Sequence, residues 1–178
     1  MNRIENKFNE LRSSGRKGFI PFVTAGDPDL ATSLSIIEAL AEEGADIIEL
    51  GVPFSDPMAD GPTIQSSSQR ALANGVSLGD VLAVVREFRS SFKTPIVLFG
   101  YLNPLLQYGI ERFRDDAASV GVDGALVTDV VDEEASELSD RFAERNIDLI
   151  SLVAPTTTDD RLAKIAARAR GFIYAVSR

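Results

Sequence analysis

The chain has 178 residues, of which 44% are hydrophobic and 25% are charged, a composition typical of one globular domain with a sizeable core. Cysteine and histidine are both absent, which excludes disulfides and a Ser–His pair, disfavours a zinc site, and leaves acid–base chemistry to Asp, Glu, Lys or Tyr. A net charge of −9 without a basic block argues against nucleic-acid binding, and the lack of a membrane-length apolar run or a signal peptide favours a cytoplasmic protein without membrane contact.

Six short apolar runs are predicted to form buried parallel strands. In chain order they cover residues 19–23, 46–50, 95–99, 124–127, 147–152 and 172–176. The segment 2–14 is predicted to be an additional N-terminal helix. Pro21 cannot donate to a strand ladder, so we place it near the start of the first strand.

Helical spacing of apolar residues predicts amphipathic helices between these runs. The apolar positions are Leu34, Ile37, Leu40 and Ala41; Val81, Val84, Val85 and Phe88; Leu138, Phe142 and Ala143; and Leu162, Ile165, Ala166 and Ala169. Gly44, Gly121 and Gly171 follow predicted helices and suit C-terminal caps.

Alternating strands and helices predict a parallel sheet with covering helices. A doubly wound sheet and a barrel both fit six βα units, and a full (β/α)8 barrel needs eight. The gap between the second and third strands is about twice as long as the others. It contains a loop at 51–62 rich in Gly, Pro and Asp, and a long loop within a compact domain is usually functional.

Two carboxylates near this loop are candidate catalytic residues. Glu49 lies at the carboxyl end of an otherwise apolar strand, where parallel α/β folds place their active sites. The alternatives are a structural carboxylate or a helix cap for Glu49, and an Asx-turn or N-cap for Asp60. Two carboxylates at one rim can divide the work, since one protonates carbon while the other stabilises developing positive charge.

Other polar residues at strand ends carry weaker signals. Tyr101 and Tyr174 are typical of half-buried packing residues with a hydrogen-bonded hydroxyl, and Asp56 and Asp129 are typical of turns or caps. Nucleotide-binding glycine motifs are absent, and no predicted strand carries a lysine, which disfavours Schiff-base chemistry.

Several blocks in this order resemble the tryptophan synthase alpha chain family. They are residues 19–28, 48–65, 100–104, 154–157 and 171–177, so the resemblance runs along the whole chain. It implies a (β/α)8 TIM barrel, here with about six βα units plus the N-terminal helix. It also implies a lyase of tryptophan biosynthesis, which cleaves indole-3-glycerol phosphate to indole and glyceraldehyde 3-phosphate by a retro-aldol reaction without a cofactor.

The resemblance assigns roles to individual residues. Glu49 would protonate the indole ring carbon that bears the side chain, and Asp60 would bind the ring N–H and stabilise the cation. The apolar substrate pocket would be formed by Phe22, Ile64, Tyr101, Leu126, Val153 and Tyr174.

The family also implies a beta-chain partner in a heterotetramer, and pyridoxal phosphate is expected only in that partner. The loop at 53–60 and the segment at Asn103 and Pro104 resemble the parts that contact it. The family pattern has a proline two residues after the position of Asp129, whereas this chain has Val131, which alters the expected contact.

The sequence also predicts a single barrel domain over 1–178 that ends before strands seven and eight and their phosphate site. We therefore expect unpaired sheet edges, low stability or self-association, and weak substrate binding from these residues alone. Two alternatives stay open: another phosphate-handling barrel enzyme, such as an indole-glycerol-phosphate synthase, and a catalytically impaired partner-binding fragment.

Overall fold

The structure is a computed structural model that describes residues 2–177, except for the side chains of Asp132 and Glu133. The helices are α1 (Arg3–Ser14), α2 (Leu30–Glu42), α3 (Pro62–Ala73), α4 (Leu78–Phe88), α5 (Leu102–Tyr108), α6 (Ile110–Val120), α7 (Asp132–Ala143) and α8 (Asp159–Arg168). The strands are β1 (Phe22–Thr24), β2 (Ile48–Gly51), β3 (Ile96–Gly100), β4 (Gly124–Val127), β5 (Asp148–Leu149), β6 (Ser151–Val153) and β7 (Ile173–Ala175). Within this part of the chain, no helix is long and apolar enough to cross a membrane.

Strand order distinguishes the two architectures that the sequence left open. Strands β1 to β5 are parallel and pair in the order in which they occur in the chain, and β6 pairs with β7 in parallel. A doubly wound sheet reverses its strand order at a switch point, whereas a barrel does not. The fold is therefore an incomplete (β/α)8 barrel.

The outer face of the sheet carries the larger apolar core. Ile48 and Leu50 of β2 pack in one cluster with buried residues of α2, α4 and α6, such as Ile37, Val85 and Phe113. This burial supplies most of the apolar stabilisation, because each large side chain removed from water contributes roughly 1.5–3 kcal/mol. The helices therefore cover the outer face of the sheet.

The inner face carries a second, smaller cluster that includes α1. Ile4 packs with Ile47, Val97, Leu126 and Ile150, and all five are buried. Asn2 caps α1, since its side-chain oxygen accepts from the amide of Ile4. The predicted N-terminal helix is confirmed, and it closes the end of the sheet at which the strands begin.

Three buried aspartates at the amino ends of the strands hold the N-terminal segment in place through hydrogen bonds and ion pairs. Asp123 accepts hydrogen bonds from Arg3 at 2.8 Å and from Arg89 at 2.6 Å. Asp148 accepts from the Asn2 side chain at 2.7 Å. Asp46 accepts from the amide of Phe19 at 2.9 Å and lies 3.7 Å from the Lys7 ammonium. Sequence reasoning missed these contacts, although each aspartate directly precedes or begins an apolar run.

Local differences from the predicted elements have simple causes. The first strand begins at Phe22, directly after Pro21, which has no amide to donate. The fifth predicted strand is interrupted at Ile150, so β5 extends one ladder and β6 begins another. Gly121 is the predicted C-cap of α6, with a positive φ of 89° that suits glycine. Gly171 caps no helix, because α8 already ends at Arg168.

The apolar stripe predicted for α8 is not buried. None of its residues is buried, Leu162 is exposed, and only Ile165 is half-buried along that stripe within the helix. The helical spacing was read correctly, but amphipathic spacing specifies a helix and not the neighbour that covers it.

Candidate active site

Glu49 points to the inner face of the sheet. Its neighbours Ile48 and Leu50 belong to the outer core, and alternate residues of a strand face opposite sides. Its register partners are Phe22 on β1 and Val97 on β3, and Val97 belongs to the inner cluster. The strand geometry thus places a carboxylate among apolar inner-face side chains.

The Glu49 side chain is buried without a polar partner. The residue is 5% exposed, and its carboxylate makes no hydrogen bond or ion pair with any residue that the structure describes. Because burial disfavours the charged form, the pKa of Glu49 rises from 4.5 to about 7. Near neutral pH the group can therefore both give and accept a proton, as a general acid–base residue requires.

Aromatic rings cross the inner face beside Glu49. Phe22 meets Phe99 edge-on with ring centroids 5.4 Å apart, and Phe99 meets Tyr174 at 5.8 Å. A Cβ at position 51 would lie 2.5 Å from the Phe22 ring, so glycine is needed there for this close approach. Burial and the charge of Glu49 both raise the pKa of Tyr174.

The structure brings Phe22, Leu126 and Tyr174 to this face, as predicted from the resemblance. Leu126 is fully buried in the inner cluster, and Tyr174 packs against it. Phe99 and Leu152 also pack there and were missed, although the alternation within their strands could have identified them.

Val153 requires a correction. Leu152 pairs with Tyr174, and Val153 pairs one position further on with Ala175. Because successive side chains alternate between the two faces, Val153 faces away from Tyr174, and Leu152 takes the position assigned to it. The assignment was displaced by one residue, which in a strand exchanges the faces.

Asp60 lies at the carboxyl edge of the same sheet, in the loop between β2 and α3. The hydroxyl of Tyr101, directly after β3, accepts a hydrogen bond from the Ala59 amide at 3.0 Å. Burial raises the pKa of Asp60, and a hydrogen bond from the Tyr101 hydroxyl partly offsets that rise. Tyr101 also stacks obliquely on Phe54, with ring centroids 5.2 Å apart. Tyr101 therefore holds the loop and its carboxylate at the end of β3.

The first turn of α3 anchors the other end of this loop. The Gln65 side chain donates to the Asp60 carbonyl at 2.8 Å, and Gly61 precedes Pro62 at the start of the helix. Asp60 is thus adjacent to the N-cap position but is not the cap, which removes that alternative for its side chain. Ile64 is half-buried in the same turn.

The remaining candidates have structural contacts at the same edge. Asp129 accepts from the amide of Leu102, the first residue of α5, at 2.8 Å, which is the capping role that its position suggested. Asp56 is exposed and accepts from the Ser55 hydroxyl at 2.5 Å. Among the described side chains, which exclude those of Asp132 and Glu133, no cluster of three or more carboxylates could hold a metal ion, and none of the strands β1 to β7 carries a lysine.

Sequential parallel strands, an outer layer of helices and an unpaired acid on the inner face define a barrel protein with an enzyme-type site at the carboxyl ends of its strands. A family model described as "Tryptophan synthase alpha chain" matches residues 8–178. The chain belongs to the tryptophan synthase alpha chain family.

Individual relatives agree with this assignment. The chain is 54% identical over 178 residues to the tryptophan synthase alpha chain of Burkholderia lata, and 55% identical over 177 residues to that of Synechococcus elongatus. Each match covers 99% of this chain and 66% of the relative. The chain therefore spans about two thirds of the length of these curated relatives.

Solved structures give the same result. The crystal structure of tryptophan synthase subunit alpha from Legionella pneumophila superposes with a TM-score of 0.96 at 42% identity, over 99% of this chain and 68% of that one. Mycobacterium tuberculosis tryptophan synthase gives a TM-score of 0.94 at 39% identity, over 99% of this chain and 68% of that one.

Proposed function

We propose that this chain carries the carbon–carbon lyase site of its family and cleaves indole-3-glycerol phosphate to indole and glyceraldehyde 3-phosphate. The observation that carries the proposal is the buried, unpaired Glu49, whose pKa of about 7 suits proton transfer at neutral pH. A buried carboxylate without a partner costs stability, so its presence at a strand end favours a catalytic use.

In the proposed reaction the protonated Glu49 gives its proton to the ring carbon that bears the glycerol side chain. This leaves a cationic ring and a Glu49 carboxylate. The carboxylate then takes the proton of the adjacent side-chain hydroxyl while the carbon–carbon bond breaks. The electron pair of the broken carbon–carbon bond returns to the ring, which becomes neutral indole. The carbon that carried the hydroxyl becomes the aldehyde carbon of glyceraldehyde 3-phosphate. One acid–base group therefore serves both steps, and no cofactor is required in this chain.

Asp60 is the proposed partner for the ring nitrogen. A carboxylate that accepts the ring N–H stabilises the positive charge of the protonated ring, and such preorganised electrostatic contacts are a major source of rate enhancement. The hydrogen bond from Tyr101 supports this role, because it favours the charged form of Asp60 despite burial.

The aromatic side chains supply an apolar surface for a flat bicyclic ring. We propose that Phe22, Leu126 and Tyr174 contact the indole, with Leu152 in the position first assigned to Val153, and Tyr101 and Ile64 at the rim. Apolar walls with a few polar groups are typical of small-molecule sites. Residues 1–178 would form one domain of six βα units.

A beta-chain partner is proposed to bind at the carboxyl edge, through the loop at 53–60 and the Asn103–Pro104 segment. Large apolar side chains are exposed at this edge: Met58 is 86% exposed and Leu106 is 55% exposed. Val131, which stands where the family has proline, is also exposed there. Exposed apolar patches often mark interaction sites. Pyridoxal phosphate would belong to the partner in a heterotetramer.

The test is an indole-release assay on the full-length protein with Glu49→Gln. Gln keeps the shape of the side chain but cannot transfer the proton, so kcat should fall by about 10²–10⁴-fold. Glu42→Gln is the matched control, since Glu42 is exposed on α2. Retention of activity within a few-fold by the Glu49 variant, with its fold intact by circular dichroism, would exclude the proposed acid.

A further inference from the structure

A cavity of about 810 Å³ lies on the outer face of the sheet, between α7 and α8. Its floor includes Val127 of β4 and Leu149 of β5, which belong to the outer core. Glu49 and its aromatic neighbours lie on the inner face. The cavity also reaches Ile150 and Leu152 at the break between β5 and β6, but Glu49, Phe22 and Tyr174 are not among the residues that line it.

The two helices leave this space because their facing side chains are small or sparse. Helix α7 contributes Ala135, Ser139 and Ala143 to the cavity wall, while α8 contributes the half-buried Ile165 and no buried residue. Neighbouring helices of a barrel normally pack against each other over the strands, with axes about 8–10 Å apart. Here α7 and α8 do not pack against each other, and the floor between them is apolar.

The rim of the cavity on α8 is positively charged. Lys164 and Arg168 lie one helical turn apart, both are exposed, and neither has a hydrogen-bond or ion-pair partner among the residues that the structure describes. Arg170 also lines the cavity and is bound to Asp148. On the opposite wall, Asp140 is the one acid among the described side chains that line the cavity. This local positive surface contrasts with the net charge of −9.

We propose that this cavity binds a small organic anion with a flat apolar body, such as an aromatic sulfonate or carboxylate. Its volume lies within the range of about 300–1,000 Å³ that is usual for small-molecule sites. The apolar floor would bury the rings, while Lys164 and Arg168 would bind the anionic group. Ser139 of α7 and Ser151 of β6 also line the cavity and offer hydroxyl groups for further hydrogen bonds.

The experiment titrates the full-length protein with 8-anilinonaphthalene-1-sulfonate and follows its fluorescence. N-phenyl-1-naphthylamine has the same aromatic body without the sulfonate and serves as the neutral probe. We expect the sulfonate to bind more tightly than the neutral probe. Its affinity should fall as ionic strength rises from about 0.01 to 0.1 M, because the screening length shortens from about 30 to about 10 Å.

Three variants locate the binding. Lys164→Glu/Arg168→Glu should raise the dissociation constant of the sulfonate about tenfold or more, since two attractive charges become repulsive. Arg86→Glu/Lys93→Glu makes the same charge change at exposed positions away from the cavity and should leave it unchanged. Ser139→Phe fills the cavity and should abolish binding of both probes there.

Other outcomes would overturn the proposal. Equal affinity of the wild type for both probes, or sulfonate binding unaffected by the α8 charge reversal and by Ser139→Phe, would show that the dye binds elsewhere. A concentration-dependent dimer in sedimentation velocity that Ser139→Phe dissociates would show that a second copy of the chain occupies the cavity. If the charge reversal unfolds the protein by circular dichroism, Lys164→Gln/Arg168→Gln replaces it, with a smaller expected loss of affinity.

Discussion

The two ends of the sheet treat buried acids in opposite ways. At the amino ends of the strands, Asp46, Asp123 and Asp148 are each 2–4% exposed and each is bound to amides or cationic side chains. At the carboxyl end of β2, Glu49 is equally buried but has no polar partner among the described residues. The acids at the amino end are therefore held by protein donors, whereas Glu49 is not.

The difference shows that the amino ends of the strands contribute to stability and that the carboxyl ends hold the candidate chemistry. A buried charge is stable when donors surround it, as they do around Asp123, but those donors also fix its protonation state. Glu49 lacks them, so its pKa can rise to about 7 and the proton can move. The loss of stability at Glu49 is offset at the amino ends of the strands, where hydrogen bonds and ion pairs hold α1 against the sheet.

The largest expected effect on stability comes from the satisfied end. Asp123→Ala should lower the free energy of unfolding by about 3–5 kcal/mol, because Arg89 and Arg3 lose their buried acceptor. Urea denaturation measures this change. Glu87→Ala, at an exposed position on α4, is the control and should change stability by less than about 0.5 kcal/mol.

Asp123→Asn is the milder companion variant, since its amide oxygen still accepts hydrogen bonds. It should fold and retain kcat close to that of the wild type. A large loss of kcat with little loss of stability would contradict the division between the two ends.

Replacing the acid at Glu49 is expected to raise the free energy of unfolding, whereas replacing Asp123 lowers it. Its pKa of about 7 in the folded protein, against 4.5 ordinarily, means that the folded state keeps a proton that the unfolded state has lost between these pH values. Wild-type stability therefore falls as pH rises through this window. Glu49→Gln should thus be more stable than the wild type by up to about 3 kcal/mol at pH 8, and the advantage should vanish below about pH 4.5.

Thermal or urea unfolding of both proteins across that pH range measures the difference. A constant gap at all pH values would mean that Glu49 does not titrate as its burial implies. In that case the contrast between the two ends would lie in packing and not in proton affinity.

Asp60→Asn tests the second carboxylate of the carboxyl end. The amide is uncharged, so it cannot stabilise a cationic ring, and kcat for indole release should fall by about 10²-fold. Asp160→Asn, at an exposed site on α8, should behave like the wild type. A fall of less than about threefold in the Asp60 variant would leave Glu49 as the one carboxylate that the reaction needs.

The smallest effect is expected from Tyr101→Phe. The variant keeps the ring against Phe54 but removes the hydroxyl that binds the Ala59 amide and Asp60. A lost hydrogen bond of this kind costs about 1 kcal/mol, so kcat/KM should fall about fivefold. Combined with Asp60→Asn it should add little, because both changes remove the same interaction. Full additivity of the two effects in indole-release kinetics would separate Tyr101 from Asp60.

The sequence by itself determined the rhythm of strands and helices, because apolar periodicity is a local property of the chain. It also determined the two candidate carboxylates, since Glu49 interrupts an apolar strand and Asp60 lies in a long loop. The N-terminal helix over 2–14 was predicted in the same way, and Ile4 and Leu11 of α1 are buried.

Only the tertiary structure decided which surfaces these elements share. The exchange of Val153 for Leu152 depends on strand register, which a single strand does not encode when both residues are apolar. Asp123 binds Arg3 and Asp148 binds Asn2, which lie 120 and 146 residues away along the chain at the start of α1. The exposure of α8 likewise depends on its neighbours. The sequence of an amphipathic helix specifies its apolar stripe, but it does not specify which surface packs against that stripe.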